Sequence, residues 1–154
     1  MFKETDKIKD GKIADKGALN GIKVLDLTRY LSGPQTTLFL GALGAEVLKI
    51  DDPHQGDPVR NSPPFFGKDG VSMSKSSPLD IGIAYLKRAR SKKSIELDLK
   101  SEDGINTFMR LAEKADVIVE NFRVGVTKRL KIDYEQLKSK NPKIIYCSIT
   151  GFGA

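Results

Sequence analysis

Val24-Leu25-Asp26-Leu27-Thr28, then Ser32-Gly33-Pro34, then Glu46-Val47-Leu48-Lys49-Ile50: this stretch decides the fold class. Its first phrase is a short apolar run broken by one acid, the pattern of a buried strand. Ser32-Gly33-Pro34 reads as a helix start, because Pro34 in a first turn forgoes an N–H that would have no partner there. The helix is expected to run to about Leu43, with Gly44 placed to end it. The closing phrase returns to strand texture. Strand, helix and strand in so short a span imply a right-handed crossover between parallel neighbours.

Downstream the texture repeats. Residues 51–77 lose regularity: Pro53, Gly56, Pro58, Pro63, Pro64, Gly67 and Gly70 punctuate a loop of a length that compact domains seldom keep without a use. A short helix is expected over Pro78–Arg90. Ser94-Ile95-Glu96-Leu97-Asp98-Leu99 alternates polar and apolar residues, as a strand does. Ser101 caps a helix whose Glu102 and Asp103 suit the N-terminal dipole and whose apolar face is Ile105, Phe108, Met109 and Ala112, with Lys114 in its last turn. Asp116–Glu120 is a fourth strand and Lys143–Ser148 a fifth. Between them come a helical turn over Gly125–Leu130 and a helix from Asp133 to Asn141-Pro142. The expectation is an α/β, Rossmann-like architecture: a mostly parallel sheet flanked by helices.

Composition narrows the class. The 154 residues, 39% hydrophobic and 30% charged, fit one domain. Residues 1–18, rich in Lys and Asp, read as a charged flexible arm without the apolar core of a signal peptide, and residues 19–154 as the folded domain. No run approaches the ~20 apolar residues of a membrane helix. Cys147 is the single cysteine, which rules out an intrachain disulfide and makes a reducing cytoplasm the expected setting. The formal charge of +6 favours an anionic partner. Nucleic acid is not expected: there is no zinc spacing, basic heptad helix or glycine-aromatic signature.

Ligands of open α/β sheets sit beyond the carboxyl ends of the strands, so the strand exits are the residues to read. The first exit, Thr28-Arg29-Tyr30-Leu31-Ser32-Gly33-Pro34, lacks the G-x-G-x-x-G of a dinucleotide site. Asp51 lies where a ribose-binding acid often sits, or is a solvated loop acid. Lys87, Arg88, Arg90, Lys92 and Lys93 could hold phosphates or form a solvated basic turn. The same alternatives apply to Arg123 and Arg129. His54, the single histidine, has no identifiable catalytic partner. Cys147, inside an apolar strand, reads as a buried inert thiol. No His/Cys/Asp/Glu spacing resembles a metal site. Gly151-Phe152-Gly153 could line a ligand loop or make a simple turn.

Several phrases together resemble the class III CoA-transferase family, which also contains α-methylacyl-CoA racemase. They are Leu19–Thr28, Gly33-Pro34, Leu43–Ile50, Gly56–Arg60, Lys93–Lys100, Ala115–Arg123 and Ile144–Gly153. Their order spans nearly the whole chain after the arm, apart from the loop between about Asn61 and Arg90. The resemblance implies the N-terminal, CoA-binding part of a larger fold, with coenzyme A or acyl-CoA as substrate and no tightly bound cofactor. It implies CoA contacts at Leu31 and Ser32, at Leu97, Asp98, Leu99 and Lys100, at Asn121, Phe122 and Arg123, and at Arg129. Asp52 departs from the pattern, since some members carry a basic residue there.

Transferases of that family use an aspartate that attacks the acyl-CoA thioester, forming an enzyme-acyl anhydride and then an enzyme-CoA thioester that passes CoA to a carboxylic acid. That aspartate follows the Gly-Phe-Gly loop, so it is expected beyond Ala154. Asp26, Asp98 and Asp116 do not match it. The expectation is therefore a truncated part of the enzyme, inactive alone, with acyl-CoA and a carboxylic acid as substrates. The full-length form is expected to be an interlocked homodimer. A racemase-like member or a non-catalytic CoA-binding module is the alternative.

Overall fold

The computed structural model describes residues 17–153. Residues 1–16 of the expected arm lie outside them. Gly17 sits flush against the Leu43–Gly44 backbone, where a Cβ would overlap the Leu43 carbonyl. The Leu19 N–H donates to Leu43 O at 2.8 Å.

The central sheet contains β1 (Lys23–Asp26), β2 (Glu46–Asp51), β6 (Lys92–Glu96), β7 (Val117–Glu120) and β8 (Ile145–Ser148), all parallel, in the order β6-β2-β1-β7-β8. Between β2 and β6 the chain makes a 3₁₀ turn (Pro58–Asn61), strands β3 (Phe65–Gly67), β4 (Gly70–Ser72) and β5 (Ile81–Gly82), and helix α2 (Ile83–Ala89). The remaining helices are α1 (Ser32–Ala42), α3 (Glu102–Ala112), α4 (Val126–Arg129) and α5 (Tyr134–Lys140). The Rossmann-like α/β reading matches this arrangement. Strand order reverses at β1, with β2 on one side and β7 on the other, so a crevice opens beyond their carboxyl ends.

Two apolar layers hold the sheet. On one face Leu25, Leu27, Ile50 and Ile118 pack with Phe108 and Ala112 of α3, with Ile132, and with Leu137 of α5. On the other, Val24, Val47 and Val119 meet Ala45, Leu40 of α1, and the Leu19–Ile22 turn. Phe108, Ile118 and Ile132 are fully excluded from water, each contributing about 1.5–3 kcal/mol of transfer free energy. Ser101 caps α3 by accepting from the Gly104 N–H at 3.0 Å. Asn141 closes the far end, its amide donating to the carbonyls of Ala112 and Ala115 at 3.0 and 2.8 Å.

Three expectations shift. The third parallel strand lies at Lys92–Glu96, two residues before the expected start, because its register on β2 sets Lys92 opposite Val47. The loop over 51–77 carries order of its own: β3 and β4 lie within it and form an antiparallel sheet with β5 beyond it, in which Phe65 turns inward. The helix expected over 78–90 begins only at Ile83, because the Asp80 carboxylate accepts from the N–H groups of Ser76 and Ser77 and holds a turn there. No helix of the described residues is long and apolar enough to cross a membrane.

Candidate ligand site at the strand exits

Beyond β1 the chain is gripped by three side chains in succession. The Lys49 ammonium donates to Thr28 O at 2.7 Å. Asn121 clasps the next residue, accepting from the Arg29 N–H at 2.9 Å and donating to Arg29 O at 2.8 Å. Asp57 then accepts from the Tyr30 N–H at 3.3 Å and from the Val59 N–H at 3.0 Å. Tyr30 has φ +69°, a left-handed conformation that non-glycine residues adopt only when neighbours hold it.

Beneath this exit lies a buried polar network. Asp26 is fully buried. It accepts from Thr28 N and Oγ at 2.9 and 2.5 Å, from Thr37 Oγ at 2.6 Å and from Lys92 Nζ at 2.9 Å. Lys92 completes its donor set on Pro34 O and Thr37 Oγ at 2.9 and 2.7 Å. Burial pulls the Lys92 ammonium below the usual lysine range, and the Asp26 charge offsets only part of that. Lys49, equally buried, lies 3.3 Å from Asp51 and 3.7 Å from Asp57. Gly33 is obligatory here, since a Cβ would overlap the Thr28 side chain.

The grip presents Arg29 to a cleft of about 330 Å³ formed by the exits of β1, β2, β6 and β7 and by α4. Its floor is apolar: Leu27, Ile50, Leu97, Leu99, Phe122, Val126 and Leu130. Arg29, Lys100 and Arg129 stand around it with Asp51, Asp52, Asp98 and Gln55. Asp52 Oδ1 accepts from the N–H groups of His54 and Gln55 at 2.9 and 3.3 Å. Its Oδ2 lies 3.5 Å from Arg29 and 3.8 Å from Lys100. Burial alone would push the Asp52 carboxyl up, but the two N–H groups and the Lys100 and Arg29 charges together hold it below the ordinary value of 3.8.

Of the residues expected to contact CoA, Leu97, Asp98, Leu99, Lys100, Phe122 and Arg129 line this cleft. Asn121 does not line it; one N–H and the oxygen of its amide bond the Arg29 backbone. Leu31 and Ser32 lie at the exposed start of α1 and do not line it. Arg123 belongs to a neighbouring groove of about 300 Å³, shared with Phe122, Ile149 and Gly151-Phe152-Gly153. Phe122 lines both, so the groove adjoins the cleft.

Sequence reasoning gave no role to Arg29, Gln55 or Lys49, and offered Lys92 only as a phosphate ligand or a solvated turn residue, whereas its ammonium is spent on Asp26, Pro34 and Thr37. One signal was available: Asp26 and Lys49 each interrupt an apolar strand, and the register pairs them. Two opposite charges in adjacent buried strands are a network in waiting. Among the described residues no group of three or more His, Cys, Asp or Glu could hold a metal ion.

A family model described as CoA-transferase family III matches residues 19–154. The chain is 41% identical over 137 residues to the succinyl-CoA:mesaconate CoA-transferase of Haloarcula hispanica, covering 89% of this chain and 33% of that protein. It is 42% identical to the human succinyl-CoA:glutarate CoA-transferase, covering 88% of this chain and 28% of that one. Among solved structures, a CaiB/BaiF family protein from Brucella suis superposes with a TM-score of 0.78 at 39% identity, over 90% of this chain and 34% of that chain. Rv3272 from Mycobacterium tuberculosis gives 0.77 at 34% identity, over 90% and 36%. The chain thus spans about a third of the length of the relatives it matches.

Proposed function

The chain belongs to CoA-transferase family III, and from that premise we propose that residues 19–153 form the CoA-binding part of a transferase that moves coenzyme A between an acyl-CoA and a carboxylic acid. One observation carries this reading: a single cleft combines an apolar floor with Arg29, Lys100 and Arg129 at its edge. Coenzyme A is amphipathic in the same way. Its adenine and pantetheine suit apolar walls, while its phosphates suit guanidinium and ammonium groups. The groove that adjoins the cleft at Phe122 would take the pantetheine arm toward Gly151–Gly153 on this reading. CoA is on this reading a substrate, not a resident cofactor.

The covalent step needs a carboxylate oxygen free to attack a thioester. Asp26 and Asp57 are buried and committed to the network, and Asp52 and Asp98 each hold a local turn. None of these is assigned as the nucleophile. An interlocked homodimer and a cytoplasmic setting belong to the same proposal for the whole enzyme.

Calorimetric titration of CoA at two ionic strengths tests the reading. Binding is expected, weaker at high salt, and weakened several-fold by Arg129→Ala or Lys100→Ala. A folded sample with no measurable affinity at low salt rejects it.

A further inference from the structure

A second concave surface lies at the opposite end of the sheet, where β1, β2 and β6 begin. It is a groove of about 580 Å³, within the ~300–1,000 Å³ range of small-molecule sites. The strand register builds its floor. Leu25, Leu48 and Lys93 stand opposite one another on β1, β2 and β6, and side chains paired in this way share one face. That face is the one α3 covers, since Leu25 and Leu48 pack into the layer of Phe108 and Ala112. Leu111, near the end of α3, and Ala115, just past it, add to the apolar lining. Leu48 and Leu111 are only half-buried there.

The charge of the groove is one-sided. Four lysines line it against one carboxylate, Glu46. Lys92 spends its ammonium on Asp26, Pro34 and Thr37. Lys23 stands opposite Glu46, and its N–H donates to Asp116. Lys93 and Lys114 remain: both are exposed, and among the described residues neither is ion-paired. An apolar floor beside two uncommitted ammonium groups suits an anion with an apolar body. It does not suit coenzyme A. Its lining residues include no aromatic ring to stack on adenine and no arginine to fork a phosphate, whereas the strand-exit cleft has Phe122, Arg29 and Arg129. We propose that this groove is a second ligand site, independent of the CoA reading, and that it takes the anion of a medium-chain fatty acid. The chain lies on Leu48 and Leu111, and the carboxylate takes Lys93 and Lys114.

The experiment is calorimetric titration of decanoate, below its micellar range, into the full chain. Decyltrimethylammonium serves as the probe of equal chain length and opposite charge. A single decanoate is expected to bind each chain, and the cation is expected not to bind. Lys93→Glu combined with Lys114→Glu should weaken decanoate about tenfold or more, and both replacements fall at exposed positions that the fold tolerates. Amide chemical shifts should move at Leu48, Lys93 and Leu111 and stay fixed at Leu97–Lys100. Absence of binding to the folded chain, equal binding of the cation, or unchanged affinity in the double variant overturns the inference and leaves the CoA reading to its own titration. Displacement of decanoate by CoA also overturns it, by moving the ligand to the strand-exit cleft. Should the double variant fail to fold, the cation and the shifts decide.

Discussion

Asn121 uses both ends of its amide on the backbone of Arg29, which makes it a positioning residue for a guanidinium it does not touch. Asn121→Ala should cost about 1–3 kcal/mol by leaving part-buried backbone groups unpaired. It should also weaken CoA binding, read by denaturant melts and titration together. Normal affinity in the variant would detach Arg29 from the site. Lys92 makes a second residue-scale test. Lys92→Met leaves Asp26 buried without its countercharge, an expected loss of about 3–5 kcal/mol. Asp26→Asn added to Lys92→Met should recover part of it, and urea unfolding of the four proteins closes the cycle. Asp52 and Asp80 make a third. Both have carboxyls held below 3.8 in the folded state, Asp80 chiefly by the N–H groups of Ser76 and Ser77. As pH falls the unfolded chain therefore takes up protons first. Their stabilisation is complete above about pH 4 and is lost as pH drops through the folded values. Unfolding followed from pH 6 to 2.5 should show that loss, and Asp80→Asn should flatten it.

At the scale of elements, α3 sets the β6 exit. A Cβ at Gly104 would overlap the Asp98 carbonyl, so the helix approaches the Leu97–Lys100 loop as closely as its missing side chain permits. Glycine to alanine inside a helix ordinarily stabilises by about 1 kcal/mol. Gly104→Ala should instead destabilise and weaken CoA binding, and a rise in melting temperature would refute the close approach. The same element shows what the sequence makes legible. Ser101, Glu102 and the spacing of Ile105, Phe108 and Ala112 announce the cap and the buried face, because both are local. The start of β6 is not local: Lys92 and Lys93 look like solvated basic residues until pairing with β2 carries Lys92 to Asp26. The hairpin of β3 and β4 was hidden for another reason. Each strand is three residues long, too short for alternation to register.

Across the whole molecule, burial in the two apolar layers is concentrated around β1. Its neighbours β2 and β7 share both apolar layers, whereas β3, β4 and β5 pair only among themselves. Amide exchange should therefore be slowest at Val24–Asp26, Val47–Ile50 and Ile118–Val119, and faster by orders of magnitude at Phe65–Ser72. Equal protection in the two sheets would mean that the small one is part of the core. That a cleft would open at the exits of β1, β2 and β7 was legible because parallel strands share one carboxyl end. Which side chains line the cleft was not, since that depends on the long-range bonds from Lys49 and Asn121 that hold the Thr28–Arg29 backbone.

The turn between β3 and β4 offers an experimental handle. Lys68 and Asp69 stand exposed at its tip, in a sheet that pairs only with itself. Cys147 is the one thiol already in the chain and is partly buried. Asp69→Cys would thus supply an addressable attachment point for a fluorophore, and the tip could equally receive an inserted affinity peptide, leaving Asp57, Lys49 and the grip on Arg29 undisturbed.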